Sequence, residues 1–283
     1  MNGKRSAVVA LAALLLGGAA GPSRAAGNLS LGIGLDVQTG DYGTGETTDA
    51  WSVTVQARYR PGPRWSLEVS VPYLYQSAST TTTTAGGMRF DVQSDRRSPA
   101  TGGSAVMDSR HHGAGNVDTV TDTQQGLGDV TVGASYSLVE ESDAIPGIRV
   151  SAGVKVPTAD EQKNLGTGEW DLEVGAEAAK ILGDWDLFGS ARYVFQGESE
   201  AFGLRDFVVI EAGLGRFVTD VAEVWTSASW ASAPSEYADP SAEVRLGLDV
   251  GFPSGFGLGG YVSKGVTDGA PDYGAGVTAS VMF

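Results

Sequence analysis

The last residues of the chain limit its fold more than any other segment. From Tyr273 to Phe283, apolar side chains at every second position alternate with small or polar ones, Met282 excepted. Because successive side chains of a β-strand point to opposite faces, this period of two predicts a strand with one apolar face. The last segment of the chain is therefore predicted to be a strand whose final residue is the aromatic Phe283.

The first residues have the pattern of a secretory signal. The basic pair Lys4-Arg5 precedes an apolar stretch of small residues, and Ser23-Arg24-Ala25 has small residues at the two positions that a signal peptidase reads. This pattern predicts a signal peptide over residues 1–25, with the mature domain at 26–283. The apolar stretch is short for a membrane-spanning helix, which needs about 20 apolar residues. An uncut N-terminal anchor is the alternative.

Charge and composition exclude several classes of protein. The formal net charge is -15, and removal of the three basic residues of the signal peptide makes it -18. So acidic a chain is a poor partner for nucleic acid, whose binding needs a basic patch. The chain has no cysteine, so it has no disulfide and no thiolate ligand, and its 41 glycines disfavour long helices. The mature length suits one large all-β domain.

Alternation with a period of two recurs along the whole mature chain. Each repeat is about the length that a tilted strand needs to cross a bilayer, roughly 9–11 residues. The connections alternate between short turns, as at Pro61 and Pro146, and longer polar segments, of which 77–125 is the longest. The predicted strands lie at 29–38, 51–60, 65–76, 130–138, 148–156, 169–178, 186–196, 208–215, 224–230, 243–250, 256–262 and 273–283.

The charged residues of these strands separate two all-β folds. They lie on the polar face of each strand, opposite the apolar face. A soluble sandwich turns this polar face to water, whereas a membrane barrel turns it to the lumen. Aromatic residues near the strand ends in the apolar register favour the barrel, because such residues form interfacial girdles. We predict an all-β, transmembrane, up-and-down antiparallel β-barrel of about 12 strands in the bacterial outer membrane. The predicted lumen-lining residues are Glu68, Arg149, Lys155, Asp171, Glu173, Glu177, Arg192, Glu211, Glu243, Arg245 and Asp249.

In an outer-membrane barrel the terminal strand has a second role. It is the signal that the barrel-insertion machinery recognises, so we assign this role to Tyr273, Gly276, Val281 and Phe283. The expected partners are thus this machinery, outer-membrane lipid and a small-molecule solute, with no nucleic acid. No cofactor and no metal are expected.

Short motifs at the strand ends resemble a known family. Gly126-Leu127-Gly128-Asp129 opens a strand, Lys155-Val156-Pro157-Thr158 closes one, and Leu165-Gly166-Thr167-Gly168 opens the next. With these motifs the region 126–283 resembles the outer-membrane transporter family named after the meta pathway of phenol degradation. Ala159 stands where that family usually has glycine. The resemblance implies an outer-membrane location and suggests passage of small, including aromatic, compounds.

Catalysis has little support in the sequence. The two histidines, His111 and His112, lie in the long loop 77–125. Asp108, Ser109 and Asp118 are near them in the sequence and have the residue types that a triad would need. Glycines flank the pair, and nothing fixes the geometry that a nucleophile and its base require. The same pair with Asp108 is weak evidence for a metal site. We therefore interpret the chain as a non-enzyme.

The function that these patterns favour is passive transport. We expect an outer-membrane channel for small solutes, with aromatic or hydrophobic compounds among the candidates. A non-conducting structural or adhesive barrel with binding loops is the alternative. The loop 77–125 either folds into the barrel mouth or stands outside it, and its run Thr80–Thr84 is expected to prolong a strand. An acidic stripe, Glu169 to Glu177, predicts weak cation preference.

Overall fold

The computed structural model describes residues 28–42, 47–77, 81–85, 88–92 and 123–283. For 81–85 and 88–92 it describes the backbone alone. The predicted signal peptide over 1–25 and most of the loop over 77–125 lie outside these ranges. Within them, no helix is long and apolar enough to span a bilayer, a finding with no bearing on crossing by strands.

Strands account for most of the described chain. They are β1 (Leu29–Gly40), β2 (Thr48–Tyr59), β3 (Trp65–Gln76), β4 (Thr81–Ala85), β5 (Met88–Val92), β6 (Gln124–Leu127), β7 (Val130–Val139), β8 (Gly147–Val156), β9 (Asp171–Leu182), β10 (Trp185–Phe195), β11 (Phe207–Phe217), β12 (Ala222–Ala231), β13 (Ser241–Gly251), β14 (Phe256–Gly265) and β15 (Tyr273–Met282). A single turn of 3-10 helix, Glu161–Lys163, lies between β8 and β9.

The strands close into a barrel. Neighbours along the chain pair in antiparallel fashion, and β15 returns to β1, where Ser30 lies opposite Met282 and Thr39 opposite Tyr273. Strands β6 and β7 both pair with β3 and together make one wall strand. The result is a closed, antiparallel, twelve-stranded barrel, which confirms the predicted fold. Short turns join the strands at one end, here called the periplasmic end, and longer segments at the other, the extracellular end.

The break between β6 and β7 lies opposite a proline. Pro72 has no N–H to give to the ladder, and its carbonyl accepts a hydrogen bond from the Gly128 N–H at 2.9 Å. An added Cβ at Gly128 would lie 2.8 Å from a Leu74 methyl group and 3.0 Å from the Pro72 ring. Glycine at 128 therefore lets the strand pass close to β3 where pairing is interrupted.

The polarity of the two faces of the wall is the reverse of that in a soluble protein: apolar side chains point outward and polar side chains point inward. On β1 the apolar residues from Leu29 to Val37 are exposed, whereas Ser30 and Gln38 in the alternate register are buried. On the outer face, Trp51 stacks on Tyr75 near the extracellular end, and Trp65 packs on Tyr136 near the periplasmic end, with ring centroids 5.1 and 5.0 Å apart. An apolar outer surface with aromatic residues near both ends is typical of an outer-membrane barrel. This arrangement confirms the predicted location.

The described part of the long loop contains a short sheet of its own. The sequence predicts that the run Thr80–Thr84 prolongs a strand above the membrane, and residues 81–84 of this run do lie in a strand, β4. Strand β4 pairs with β5 in a separate two-stranded sheet, in which Thr81 lies opposite Val92. A hairpin satisfies the backbone of this β-branched run within the loop itself.

Candidate functional site

The inner face of the barrel is packed on one side and accessible on the other. From Glu223 to Ala231 on β12 and from Ser241 to Asp249 on β13, every inward side chain is buried. From Ser52 to Arg58 on β2 and from Arg149 to Gly153 on β8, every inward residue stays partly exposed, and Thr131 on β7 is exposed. The accessible part of the lumen is therefore off-centre: it lies away from β12 and β13 and includes the inner faces of β2, β3, β7 and β8.

Aromatic rings fill the packed side by covering glycines. In three places an inward ring lies over the glycine directly opposite it on the next strand, so that an added Cβ would overlap the ring. These pairs are Phe188 with Gly213, Trp225 with Gly247, and Tyr261 with Gly276. The alternation of polar and apolar residues does not predict these inward rings. The signal that could have found them is an aromatic residue in the polar register that faces a glycine one strand away.

Some polar groups of the packed side bind one another, although the buried hydroxyl groups of Ser227, Ser229 and Ser241 have no hydrogen-bond partner among the described residues. The Trp225 indole N–H donates to Asp249 Oδ2 at 2.7 Å, and Arg245 Nη2 lies 3.5 Å from Glu243 Oε2. The Arg245 guanidinium also lies 5.4 Å from the centre of the Tyr261 ring. Three of the residues predicted to line the lumen, Glu243, Arg245 and Asp249, thus belong to a buried network.

The acidic stripe of β9 is matched by cations on its neighbours. Asp171 Oδ2 lies 2.7 Å from Lys155 Nζ on β8. Glu173 Oε1 lies 3.7 Å from Arg192 Nε on β10. Glu177 lies between two arginines, 3.7 Å from Arg149 and 3.9 Å from Arg192. Asp171, Glu173 and Glu177 thus each have a positive partner on a neighbouring strand, which leaves Glu169 as the member of the stripe without a described ion pair. The weak cation preference stays a prediction.

The family motifs meet around one buried lysine. Lys155 Nζ lies 3.5 Å from Asp129, 2.7 Å from Asp171 and 3.2 Å from the Thr167 hydroxyl. Thr158 accepts from the Val130 N–H and donates to the Gly128 carbonyl, both at 2.9 Å. Asp129 Oδ1 accepts from the Ala159 N–H at 3.0 Å. We call Asp129, Lys155, Thr158, Thr167 and Asp171 the Lys155 cluster. Its contacts hold the interrupted strand, the end of β8 and the start of β9 together.

The loop after β8 folds over the extracellular end of the lumen. Leu165 is buried, and an added Cβ at the inward Gly126 would lie 2.8 Å from its methyl carbon. The Gln76 side chain donates to the Asn164 carbonyl at 3.1 Å. An added Cβ at Gly166 would lie 2.8 Å from Asp129 Oδ2, so glycine there lets the loop approach the Lys155 cluster. The described constriction at the mouth therefore comes from residues 157–170.

The remaining predicted residues lie nearer the periplasmic end or mid-wall. Glu68 is one-third exposed and accepts from Arg58 Nε at 2.8 Å, and Glu211 lies partly buried in the middle of β11. All the charged residues predicted to line the lumen lie in the register opposite the exposed apolar side chains. Their role along a solute path stays a prediction.

The proposed insertion signal lies at the barrel seam. Tyr273 begins β15, Gly276 is covered by Tyr261, and Val281 lies opposite both Leu31 and Phe256. The Phe283 N–H donates to the Leu29 carbonyl at 2.8 Å, and its side chain is exposed. Recognition of these residues by other proteins stays a prediction.

Within the described ranges, no group of three or more His, Asp or Glu side chains is placed to hold a metal ion. His111, His112 and the neighbours that could complete a triad lie outside these ranges.

Comparison with known proteins gives a family and a shared fold. The family described as "Putative MetA-pathway of phenol degradation" matches residues 89–283. An outer membrane channel from Pseudomonas putida F1 has a TM-score of 0.63 at 13% identity, over 92% of this chain and 97% of that one. The KdgM porin in complex with disordered oligogalacturonate has a TM-score of 0.52 at 8% identity, over 90% and 99%. The translocator domain of autotransporter NalP from Neisseria meningitidis has 0.50 at 13% identity, over 92% and 90%.

Proposed function

We propose that this chain, which belongs to the MetA-pathway family of phenol degradation, is an outer-membrane channel for the passive passage of small solutes. One observation carries the proposal: the inner face stays accessible along β2, β3, β7 and β8, while the opposite side is packed. Secretion by the signal over 1–25 and insertion through the C-terminal strand are part of the same proposal.

The accessible side is lined by groups that a small solute can pass. Its inward residues are mostly Ser, Thr, Gln and Gly, and Gly133 lies opposite Gly153 in the ladder. An added Cβ at either glycine would have no neighbour closer than 3.6 Å, so the wall recedes at this pair. Barrels of eight strands are filled and those of sixteen leave an aqueous channel, so side chains decide the width at twelve strands. The proposed path is therefore narrow.

The solutes we propose are small compounds, including aromatic or hydrophobic ones. The description of the family, which names phenol degradation, supports this choice. The alternative function, a non-conducting structural or adhesive barrel, is favoured by the buried side chains of β12 and β13 and by Leu165 at the mouth.

Conductance in planar bilayers separates the two functions. The wild-type barrel is expected to show discrete current steps. Gly153→Trp fills the recess of the accessible side and should reduce the step size several-fold. Gly62→Trp is the matched control, because Gly62 lies in a periplasmic turn where an added Cβ meets nothing within 4 Å. Absence of steps in wild type would favour the structural barrel, and equal steps in both variants would place the path elsewhere.

A further inference from the structure

Three arginines gather at the periplasmic end of the accessible side. Arg58 is the last inward residue of β2, and Arg60 follows it in the same register at the start of the turn. Residues two apart on one face of a strand are about 7 Å apart. Arg149 lies near the start of β8, at the same end of the barrel. We call Arg58, Arg60 and Arg149 the arginine group.

Small side chains leave room between these arginines. Strands β3 and β7 lie between β2 and β8. Among their inward residues at this end, Ser66 and Ser135 face each other in the ladder. Glu68 lies opposite Arg58, and Ser137 lies opposite Arg149. A serine covers little of the wall, so the long arginine side chains can approach one another across it. The backbone of Arg60 is held by a 2.7 Å hydrogen bond from its N–H to the Asn28 carbonyl.

The members of the group differ in their counter-charges. Arg58 binds Glu68 through Nε and Nη2, and Arg149 lies 3.7 Å from Glu177. Arg60 is partly buried, and across the described chain no side chain forms a hydrogen bond or ion pair with its guanidinium. Burial, followed by the charges of Arg58 and Arg149, lowers the pKa of Arg60 to about 10, which still leaves it charged at neutral pH. The local field there is positive.

We propose that Arg60, flanked by Arg58 and Arg149, binds the carboxylate of a small organic monoanion at the periplasmic end of the lumen. A guanidinium presents two parallel N–H groups that match a carboxylate, and an anion there offsets repulsion between like charges. Glu68 and Glu177 neutralise the other two arginines, so the site has an excess of about one positive charge. That excess suits a monoanion better than a dianion such as hydrogen phosphate. The inference rests on the proposed function only for its position on a solute path.

The test measures binding separately from conduction. Benzoate is titrated into the purified, folded barrel in detergent micelles and followed by calorimetry, with benzyl alcohol as the neutral analogue. Wild type should bind benzoate, and Arg60→Gln should weaken binding about tenfold or more, because a charge-assisted hydrogen bond is lost. Arg60→Lys keeps the charge and should retain part of the affinity. Arg64→Gln is the matched control: Arg64 belongs to the same turn but is exposed and contacts Tyr136 and Glu140.

Several outcomes would overturn the inference. Unchanged benzoate affinity in Arg60→Gln, an equal loss in Arg64→Gln, or wild-type binding of benzyl alcohol as tight as that of benzoate would each do so. Tighter binding of phosphate than of benzoate would refute the carboxylate assignment. Heat-modifiable migration in gels checks that every variant is folded. Failure of the proposed function would give a different result: the wild-type barrel would still bind benzoate but would show no current steps.

Discussion

The indole ring of Trp225 covers Gly247, its direct partner on the next strand, while its N–H binds Asp249 two residues further along that strand. The hydrogen bond fixes the ring in place, and the glycine provides the space that the ring occupies. Phe188 and Tyr261 cover their own glycines in the same way. The packing of this side therefore depends on the glycines as much as on the aromatic rings.

Gly247→Ala should destabilise the barrel. The new methyl group overlaps a ring that cannot rotate without breaking its bond to Asp249, and overpacking of this kind costs about 1–3 kcal/mol. Gly153→Ala is the control on the accessible side, where a Cβ meets only ordinary contacts, and its effect should stay within about 0.5 kcal/mol. Urea unfolding of both variants in lipid vesicles measures the difference. Equal midpoints would mean that the ring does not depend on its glycine.

Two adjacent residues test which face meets lipid. Thr131 and Val132 lie in the middle of the wall strand made by β6 and β7, on opposite faces, and Val132 is an exposed outward residue. Val132→Arg places a charge at mid-membrane, which costs about 2–4 kcal/mol, whereas Thr131→Arg places it in the accessible lumen. Folding yields into liposomes should fall much further for Val132→Arg. Similar yields would contradict the assigned register.

Loss of the central lysine should be costly. Lys155→Met leaves Asp129 and Asp171 buried without their shared cation, and breaking a buried pair in this way costs about 3–5 kcal/mol. Lys163→Met removes an exposed pair with Asp160 and should change stability by less than about 1 kcal/mol. Denaturant midpoints compare the two. A stable Lys155→Met barrel would show that the Lys155 cluster does not hold the loop and the strand break together.

The terminal residue should matter for assembly. Phe283→Asp should leave secretion intact but lower the amount of barrel inserted in the outer membrane, because the terminal aromatic is part of the proposed insertion signal. Heat-modifiable barrel in outer-membrane fractions measures this amount. Val266→Asp is a control, since Val266 is also exposed and apolar but lies in a loop. Wild-type insertion of Phe283→Asp would argue against the signal.

Most of the wall could be predicted because a period of two is a local property. The predicted strand over 224–230, for example, corresponds to β12. Prediction failed where an inward residue is not polar. Phe188, Trp225 and Tyr261 were overlooked because alternation treats the inner face as uniformly polar, although a ring suits that face when a glycine lies opposite.

The contacts of the candidate site could not be predicted in the same way. Whether Glu173 meets Arg192 depends on the register between β9 and β10, and local periodicity leaves that register open. The sequence therefore predicts that part of the acidic stripe is paired, but it does not identify the partner of each carboxylate. Likewise, Asp129 and Thr167 are far apart along the chain, and only the folded loop brings them to Lys155.

The off-centre lumen divides the barrel into two regions that tolerate change differently. A saturation mutagenesis experiment is expected to find the most destabilising substitutions on β12 and β13, where the inward side chains are buried. Variants with altered permeability but normal expression would concentrate on β2, β3, β7 and β8. If the proposed function holds, substitutions on one wall can change which solutes pass, while the opposite wall retains the packing on which folding depends.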